Sequence, residues 1–477
     1  MKCRSLLVTL AVLASLVTWA AASQRPGSTP RRPNLVFILA DDLGWGDVGF
    51  NGRTEWKTPR LDRLASQGAR FTRWYSASAV CGPSRAALLT GRYGIHNGVI
   101  GNGGDLPEEE VTLAEALQTR GYATGLYGKW HHGRTRPGKS SYTHPMDQGF
   151  ESFFGFTNAN EAHHHFPSRL WDGRQQVPVS GYADTLFTNR ALEFLDQHQT
   201  EPFFLTLSYT APHFGIEAPA EDVAEHRGKF PEANPSEPVN ATYAAMITRL
   251  DKEVGRVLDH LEELGLAENT LVLFTSDHGA TFEQGAKGAP AFHDSNRPFR
   301  GQKRTLLEGG IRVPAALRWP GQVPARSVVE EPLHMVDVMP SLLAAAGVAP
   351  QPEWALDGLN VLPVWTGRAK APERTLYWEW RAEGSYQLAA MRGDMKLIFP
   401  ARGAPASLYN VVKDPGERID LRELEPETKK QLQRAVLQWL QTESPAAKQD
   451  LMPPVPKNAP KLTPIIPGGS PSGVPPI

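Results

Sequence analysis

Adjacent pairs of metal-binding residue types follow two apolar segments of this chain. Asp41 and Asp42 come directly after one segment, and Asp277 and His278 follow a later one. Carboxylate oxygens suit a hard cation such as Ca²⁺ or Mg²⁺, whereas the imidazole could favour a softer metal. Each pair alone could be a turn or a helix cap. Because the arrangement occurs twice, the sequence predicts a divalent-cation site and leaves the metal open.

Basic and imidazole side chains follow two further apolar segments. Lys129 and His131 lie two residues apart after one of them, and His213 follows Ala211-Pro212 after the other. Groups at the carboxyl ends of parallel strands gather at one edge of a sheet. We expect these residues to meet the predicted cation site, although an exposed pair on a loop would also fit the spacing of Lys129 and His131.

Cys81 occupies a sequence that predicts the start of a helix. Pro83 suits the first helical turn, and Gly91 suits the residue that ends the helix. The dipole of such a helix favours an anion at its N-terminus, and Arg85 lies one turn further on. The pattern indicates an activated nucleophile beside an anionic group. A buried, inert thiol is the alternative.

The elements that must position these residues alternate between short apolar runs and helical patterns. This alternation predicts an α/β fold with a large, mostly parallel sheet between helices. The predicted strands are 34–40, 122–127, 202–209 and 270–275. The predicted helices are 59–71, 112–120 and 241–264.

The C-terminal part changes character near residues 365–375. Short segments at 375–380, 388–391, 396–399 and 407–410 look like antiparallel strands, and 426–440 is predicted as a closing helix. We therefore predict a catalytic domain over 34–370, a smaller α+β subdomain over 371–443 and a Pro-rich tail over 444–477.

The N-terminus has the pattern of a secretory signal peptide over residues 1–22, followed by a polar leader over 23–33. Its apolar run is short for a membrane span, although a short anchor is the alternative. We expect a secreted or periplasmic protein with no membrane association after cleavage. Cleavage would remove Cys3 and leave Cys81 as the single cysteine, so no intramolecular disulfide is expected.

Composition excludes some classes of function. The 477 residues carry 50 basic and 51 acidic side chains, which gives no reason to expect a nucleic-acid partner. With 40% hydrophobic residues, the chain is too apolar for a disordered protein.

The segment Cys81–Arg92 (CGPSRAALLTGR) resembles the C-x-P-S-R motif of type I sulfatases, the arylsulfatase-like branch of the alkaline phosphatase superfamily. The resemblance extends from residue 34 to about residue 420. Supporting blocks are 34–46, 58–71, 128–133, 277–279, 300–314 and 408–421. It implies the alkaline phosphatase-like fold and hydrolysis of sulfate monoesters.

The resemblance also implies a cofactor and a modification. Cys81 would be oxidised to formylglycine by a separate formylglycine-generating enzyme. Asp41, Asp42, Asp277 and His278 would then hold one divalent cation, usually Ca²⁺ with Mg²⁺ as the alternative, together with the modified Cys81. The family often has Asn in place of His278, which leaves the identity of the metal open.

Further roles follow from the resemblance and from the chemistry of sulfate transfer. Asp277 is the candidate for accepting the proton of the attacking hydroxyl, and Arg85 and Lys129 would stabilise negative charge. Lys303 or His213 would protonate the leaving alcohol.

A second proton acceptor and the substrate contacts complete the implied site. His131 would take the proton of the second hydroxyl and so release sulfate. The segment 153–167 is rich in histidine, and we expect either His163 or His164 to reach the sulfate or its sugar. A solvated loop is the alternative for this segment.

The expected substrate is a sulfated carbohydrate or an aryl sulfate. Two other functions remain open at this point: a phosphomonoester or phosphodiester hydrolase of the same superfamily, and a non-catalytic glycan-binding pseudo-sulfatase. The first usually has a Ser or Thr nucleophile and two Zn²⁺ ions, and the second would have a broken site. The intact motif around Cys81 favours a sulfatase.

Overall fold

The apolar run Asn34–Ala40 forms the central strand of the largest sheet in the computed structural model. Every residue of the strand is buried, because both faces of the sheet are covered. Leu35, Phe37 and Leu39 pack into one hydrophobic core, and the alternate residues of the strand pack into a second core on the opposite face. The run is therefore continuous and apolar, as expected for a strand between two layers of helices.

The structure describes residues 32–133, 143–382, 385–400 and 404–444. The predicted signal peptide (1–22), most of the predicted leader and nearly all of the predicted tail lie outside these residues. No helix among the described residues is both long and apolar enough to cross a membrane.

The strands of the described residues are β1 (Asn34–Ala40), β2 (Ala69–Phe71), β3 (Trp74–Tyr75), β4 (Ala123–Lys129), β5 (Ser152–Phe156), β6 (Arg169–Asp172), β7 (Gln175–Pro178), β8 (Phe203–Ser208), β9 (Thr270–Ser276), β10 (Ala315–Arg318), β11 (Ser327–Val329), β12 (Leu333–His334), β13 (Thr375–Ala382), β14 (Ser385–Arg392), β15 (Met395–Phe399) and β16 (Ser407–Asn410).

The α-helices of the same residues are α1 (Pro59–Ser66), α2 (Cys81–Thr90), α3 (Gly94–Asn97), α4 (Leu113–Gln118), α5 (Ala183–Gln197), α6 (Ala220–His226), α7 (Val239–Glu263), α8 (Ala289–Phe292), α9 (Glu308–Ile311), α10 (Val338–Ala345), α11 (Leu362–Trp365) and α12 (Pro426–Leu440). Short 3₁₀ turns span Trp45–Asp47, Gly49–Asn51, Pro145–Asp147, Glu161–His163, Ala267–Asn269, Gln284–Ala286, Met335–Asp337 and Pro352–Trp354.

The large sheet has ten strands in the order β11-β2-β10-β9-β1-β8-β4-β5-β6-β7. Strands β9, β1, β8, β4 and β5 run parallel, whereas β10 on one side and β6 on the other run antiparallel to them. Strand β7 pairs antiparallel with β6. Strands β3 and β12 form a separate parallel pair. The predicted α/β fold with a large, mostly parallel sheet is confirmed.

The C-terminal strands form a four-stranded antiparallel sheet in the order β13-β14-β15-β16. Its residues Leu397 and Leu408 share a hydrophobic core with Val436 of α12 and with Leu35 of the central strand. The small antiparallel sheet with a closing helix was predicted from the sequence and is confirmed. The domain boundary near residue 370 stays a prediction.

One predicted helix, 59–71, was wrong at its C-terminal end. Helix α1 ends at Ser66, and Ala69–Phe71 instead pairs with β10 and β11 in the large sheet. The chain turns at Gly68, where a side chain would meet the backbone oxygen of Leu317 at 2.0 Å. Pairing with strands more than 240 residues away outweighs the local helical spacing.

A buried ionic cluster connects the C-terminal sheet to helix α9 and strand β3. Lys396 of β15 contacts Glu308 at 2.6 Å and Glu417 at 2.8 Å. Tyr75 donates to Glu308 at 2.9 Å, and Arg312 contacts the same carboxylate at 3.2 Å. Burial and the nearby Glu308 raise the pKa of Glu417 to about 7, although Lys396 opposes the shift. Lys396 therefore holds two carboxylates together in the interior.

We expect Lys396→Met to lower the free energy of unfolding by about 4 kcal/mol, because two buried carboxylates lose their shared cation. Without the lysine, both carboxyl groups have folded-state pKa values above their unfolded values. Stability should then fall as pH rises from about 4.5 towards 8, so the variant should lose more at pH 8 than at pH 5. Urea denaturation of the wild-type protein and the variant at both pH values measures the loss in the free energy of unfolding.

The matched control is Lys430→Met. Lys430 is 63% exposed and contacts Glu427 on the surface at 2.8 Å, so its loss should change stability by less than about 0.5 kcal/mol. Equal effects of the two substitutions would contradict a structural role for the buried cluster.

Candidate active site

Four neighbouring strands end at one edge of the large sheet. Asp41 and Asp42 follow β1, Asp277 and His278 follow β9, and Lys129 is the last residue of β4. Because β9, β1, β8 and β4 are adjacent and parallel, their carboxyl ends lie side by side. The structure therefore places these residues at one edge of the sheet, as expected.

Helix α2 brings the cysteine to the same edge. The helix begins at Cys81, which is buried, and ends at Gly91, whose φ of 66° belongs to the left-handed region that favours glycine. The backbone N–H of Gly82 donates to Oδ1 of Asn102 at 2.9 Å and so stabilises the first turn. The Cys81 Sγ lies 3.1 Å from Nε2 of His278.

The Nε2 atom of His278 faces several atoms that accept protons or bind metals. It lies 3.2 Å from Asp42 Oδ1 and 3.6 Å from Asp277 Oδ1, in addition to its contact with Cys81. The other ring nitrogen, Nδ1, lies 3.0 Å from the carbonyl oxygen of Gly279, which places its proton there. Nε2 points among carboxylates and sulfur, where it either carries a second proton or binds a cation.

Two overlapping groups of potential ligands share Asp41 and Cys81. One adds Asp277 and His278, and within each group the ligand atoms lie within 4.8 Å of one another. The second group adds Asp42 and His213. The structure therefore brings all the predicted ligands together, and it places His213 next to them. The donor set of three carboxylates, one imidazole and the Cys81 side chain fits a divalent cation.

Charge at the site is balanced by close ion pairs. Three buried carboxylates each contact a buried cation: Lys129 Nζ with Asp41 Oδ2 at 2.5 Å, Lys303 Nζ with Asp42 Oδ1 at 2.9 Å, and Arg85 Nη2 with Asp277 Oδ2 at 2.9 Å. A divalent cation and a sulfate ester of single negative charge could enter together without leaving a large excess of buried charge.

The pKa values of the carboxylates differ although their burial is similar. Burial alone would raise the pKa of Asp41, but Lys129 and the other cations around it hold that pKa well below its usual value. Burial raises the pKa of Asp42, because the opposing effect of Lys303 is smaller. One oxygen of Asp41, Oδ1, makes no hydrogen bond within the described residues and lies 3.3 Å from Arg85 Nη2, so it can accept a further cation.

The imidazole of His278 shows how strongly its surroundings attract positive charge. Burial lowers its pKa, yet Asp277 and Cys81 raise it to about 9 in the absence of a metal ion. A proton on Nε2 would occupy the position that a cation takes when His278 acts as a ligand. Metal binding and protonation of this nitrogen therefore exclude each other.

His213 and Lys303 form a pair in which the lysine carries the proton. His213 Nδ1 donates to the carbonyl oxygen of Phe214 at 2.7 Å, so Nε2 accepts from Lys303 Nζ at 3.2 Å. Burial, reinforced by Lys303, keeps the pKa of His213 well below its usual value. Burial alone would lower the pKa of Lys303, but Asp42 and neighbouring groups raise it.

His131 is buried and neutral. Burial and the nearby Lys129 lower its pKa well below the usual value. Its backbone has a φ of 86°, and a side chain placed at Gly82 would come within 3.0 Å of its Nε2. Both observations locate the imidazole beside the first turn of helix α2. Strained backbone of this kind occurs mainly at functional sites.

The two candidate substrate contacts differ in position. His163 is half-buried and stacks on His213 with ring centroids 5.0 Å apart and an interplanar angle of 15°. His164 is exposed to solvent. The structure therefore brings His163 to the site, whereas His164 lies outside the buried cluster.

Two further residues hold the site and were not predicted from the sequence. Ser208 accepts from Arg85 Nη1 at 2.6 Å and donates to the Lys129 carbonyl oxygen at 2.7 Å. Asn102 contacts the start of helix α2 through its side chain. Ser208 ends a predicted strand, which was a usable signal, whereas Asn102 lies in a glycine-rich loop that offered none.

Comparison with known proteins places this geometry in a family. The family model "Sulfatase" matches residues 33–348, and the model "N-sulphoglucosamine sulphohydrolase, C-terminal" matches residues 300–443. The chain is 34% identical to N-acetylgalactosamine-6-sulfatase of Canis lupus familiaris over 416 residues, which cover 80% of this chain and 75% of that protein. It is 30% identical to steryl-sulfatase of Mus musculus, with 96% and 88% covered.

A solved structure agrees with these relatives. The crystal structure of Ps i-CgsB in complex with k-i-k-neocarrahexaose is similar with a TM-score of 0.79 and 29% sequence identity, covering 87% of this chain and 94% of that chain. The chain belongs to the sulfatase family and is a sulfuric ester hydrolase.

Proposed function

We propose that this protein hydrolyses sulfate monoesters of carbohydrates with a formylglycine at position 81 and one divalent cation. The observation that carries the proposal is the placement of Cys81. Its Sγ, at the N-terminus of α2, adjoins the predicted ligands, and three buried cations surround the same pocket. The Sγ atom stands in for the oxygen atoms of the hydrated aldehyde.

Asp41, Asp42, Asp277 and His278 would hold the cation together with residue 81. When bound, a divalent cation polarises the sulfate and favours the deprotonated form of the attacking hydroxyl. We name Ca²⁺ as the expected ion, with Mg²⁺ as the alternative, because most of the ligands are carboxylate oxygens.

Arg85 would bind the sulfate oxygens from the buried side. Asp277 and Ser208 hold its guanidinium through Nε, Nη2 and Nη1, so the group is oriented before substrate arrives. Lys129 supplies a second positive charge. Fixed cations in a site without water stabilise developing negative charge more strongly than mobile ones.

Proton transfer is assigned to three groups of the site. Lys303 would protonate the leaving alcohol, a choice supported by His213, whose Nε2 accepts from Lys303 and has no proton to give. His131, neutral and beside the first turn of α2, would accept the proton whose removal releases sulfate. Asp277 remains the candidate for accepting the first proton.

The substrate class is supported by the relatives. N-acetylgalactosamine-6-sulfatases and a protein crystallised with a carrahexaose are among the similar proteins. His163 would contact the sugar that bears the sulfate, because its ring covers His213 at the edge of the pocket. Aryl sulfates would serve as minimal substrates.

Maturation requires a partner enzyme and a compartment. Cys81 is only 2% exposed in the folded chain, so a formylglycine-generating enzyme would act before folding is complete. We expect export through the signal peptide at residues 1–22, which gives a secreted or periplasmic protein.

Cys81→Ala should reduce turnover of an aryl sulfate by at least about a thousandfold, because the nucleophile is lost. Release of sulfate measures turnover, and mass spectrometry of the peptide spanning residue 81 should show an aldehyde in the wild-type protein. Cys3→Ala is the matched control and should retain activity. An unmodified thiol at position 81 in fully active protein would refute the proposed nucleophile.

Removal of the cation with EDTA should abolish activity, and added Ca²⁺ or Mg²⁺ should restore it. The midpoint of thermal unfolding should also fall, because a bound cation stabilises only the folded state. In Asp41→Ala, which lacks a predicted ligand, the chelator should shift this midpoint much less. Identical midpoints of wild-type protein with and without chelator would argue against a bound cation.

His163→Ala should lower kcat/KM for a sulfated galactosamine about tenfold, because the stacked ring at the pocket edge is lost. His164→Ala is the matched control on the adjacent, exposed residue and should change kcat/KM less than about twofold. Steady-state kinetics of both variants measures these changes. A larger loss of kcat/KM in His164→Ala than in His163→Ala would assign the sugar contact to His164.

A further inference from the structure

Arg304 has a backbone conformation that favours glycine. Its φ is 70°, and it is one of eight non-glycine residues with positive φ in the described part of the chain, of which Asp42 and His131 belong to the candidate active site. The conformation is fixed from two sides, because Arg304 N donates to Ala79 O at 2.9 Å and Gln387 Nε2 donates to Arg304 O at 3.0 Å. Contacts with two distant segments therefore hold the backbone of Arg304 in a left-handed conformation.

The guanidinium of Arg304 is held at one end only. Its Nε donates to Oε1 of Glu283. Within the described residues, the two terminal nitrogens of Arg304 make no hydrogen bond, so their N–H groups stay available to a ligand. The ion pair with Glu283 thus orients the guanidinium and leaves its two terminal nitrogens free to donate.

The pair is partly exposed, whereas the residue that precedes Arg304 is buried in the candidate active site. The side chain of Arg304 is 42% exposed, whereas that of the adjacent Lys303 is 2% exposed and points to Asp42. Glu283 begins the turn that contains Gly285, and a side chain at Gly285 would lie 2.9 Å from the ring of Phe214.

Phe214 connects this pair to the substrate contact proposed above. Its ring lies 4.7 Å from the ring of His163 and 4.1 Å from that of His213, measured between centroids. Lys303 Nζ lies 5.6 Å from the centroid of Phe214. Gly285, two residues after Glu283, packs on Phe214, and Lys303, which directly precedes Arg304, also contacts Phe214. The pair of Arg304 and Glu283 therefore adjoins the residues that surround His163.

We propose that Arg304 is a specificity-determining residue that binds a second anionic group of the substrate, outside the sulfate that is hydrolysed. The inference rests on the proposed function. A guanidinium whose two terminal nitrogens are free recognises sulfate or carboxylate in the same bidentate manner. The preferred substrate is therefore a polyanionic sugar with a further sulfate or a uronate near the reacting ester.

The test compares sugars that differ by one anionic group. The probes are N-acetylgalactosamine 6-sulfate, its 4,6-disulfate, and the 6-sulfated disaccharide that carries a uronic acid. The wild-type enzyme should show a higher kcat/KM for at least one of the two probes with the extra anion. A preference for the disulfate identifies the second group as sulfate, and a preference for the disaccharide identifies it as carboxylate.

Arg304→Gly removes the guanidinium and leaves a residue suited to the local φ, so the variant should fold. It should lower the ratio of kcat/KM between the preferred dianionic probe and the 6-sulfate about fivefold, the contribution of a partly exposed ion pair. Arg304→Lys keeps the charge but loses the fork and should give an intermediate ratio. Arg392→Gln, on an exposed arginine paired with Glu373, is the matched control and should leave the ratio unchanged.

The outcomes separate this inference from the function on which it rests. A wild-type enzyme that hydrolyses all probes without preference for a second anion, or an unchanged ratio in Arg304→Gly, overturns the role of Arg304 and leaves the sulfatase activity in place. A wild-type enzyme that hydrolyses none of the sulfated probes or aryl sulfates overturns both.

Discussion

The balance of buried charge is the constraint on which the candidate site depends. Asp41, Asp42 and Asp277 are fully buried, and an uncompensated carboxylate in such a place costs several kcal/mol. Each is therefore paired with a lysine or arginine that is itself buried. A pocket built in this way holds strong fixed charges at low net charge. It suits the joint binding of a cation and an anionic ester.

The parallel sheet brings these charged groups together with their partners. The carboxyl ends of β9, β1 and β8 are aligned in register, with Ala40 opposite Ser276 and Leu39 opposite Ser208. Groups that follow these strands are delivered side by side, and Ser208 is among the partners that hold Arg85. Two hydrophobic cores cover the faces of the sheet, so the edge is rigid and water is kept from its interior.

The pocket has an inner and an outer layer with different tasks. The inner layer is almost inaccessible and contains the groups assigned to sulfate transfer, among them Cys81 and Lys303. The outer layer contains His163 and Arg304, which are partly exposed and would meet the sugar. The adjacent residues Lys303 and Arg304 have different surroundings: Lys303 is buried against Asp42, whereas Arg304 is partly exposed beside Glu283. Two adjacent residues would thus serve sulfate transfer and recognition of the substrate.

Much of the inner layer was predictable from sequence because its signals are local. A strand followed by two acidic residues, or a cysteine followed by a helix start, can be identified within about ten residues. The same is true of β1, β9 and α12, whose apolar patterns are long or well bounded. The end of α1 was wrongly predicted because Ala69–Phe71 pairs with distant strands, and no local pattern reports such pairing.

The sequence by itself determined which residue types stand at the strand ends and at the helix start, and so the kind of chemistry. Only the tertiary structure stacks His163 on His213 and leaves His164 exposed, and only it brings Lys303 Nζ to Nε2 of His213. It also decided that Asn102 supports helix α2 and that Ser208 orients Arg85. These outcomes depend on contacts between segments far apart in the chain, where burial and hydrogen-bond direction are set by neighbours that no local pattern contains.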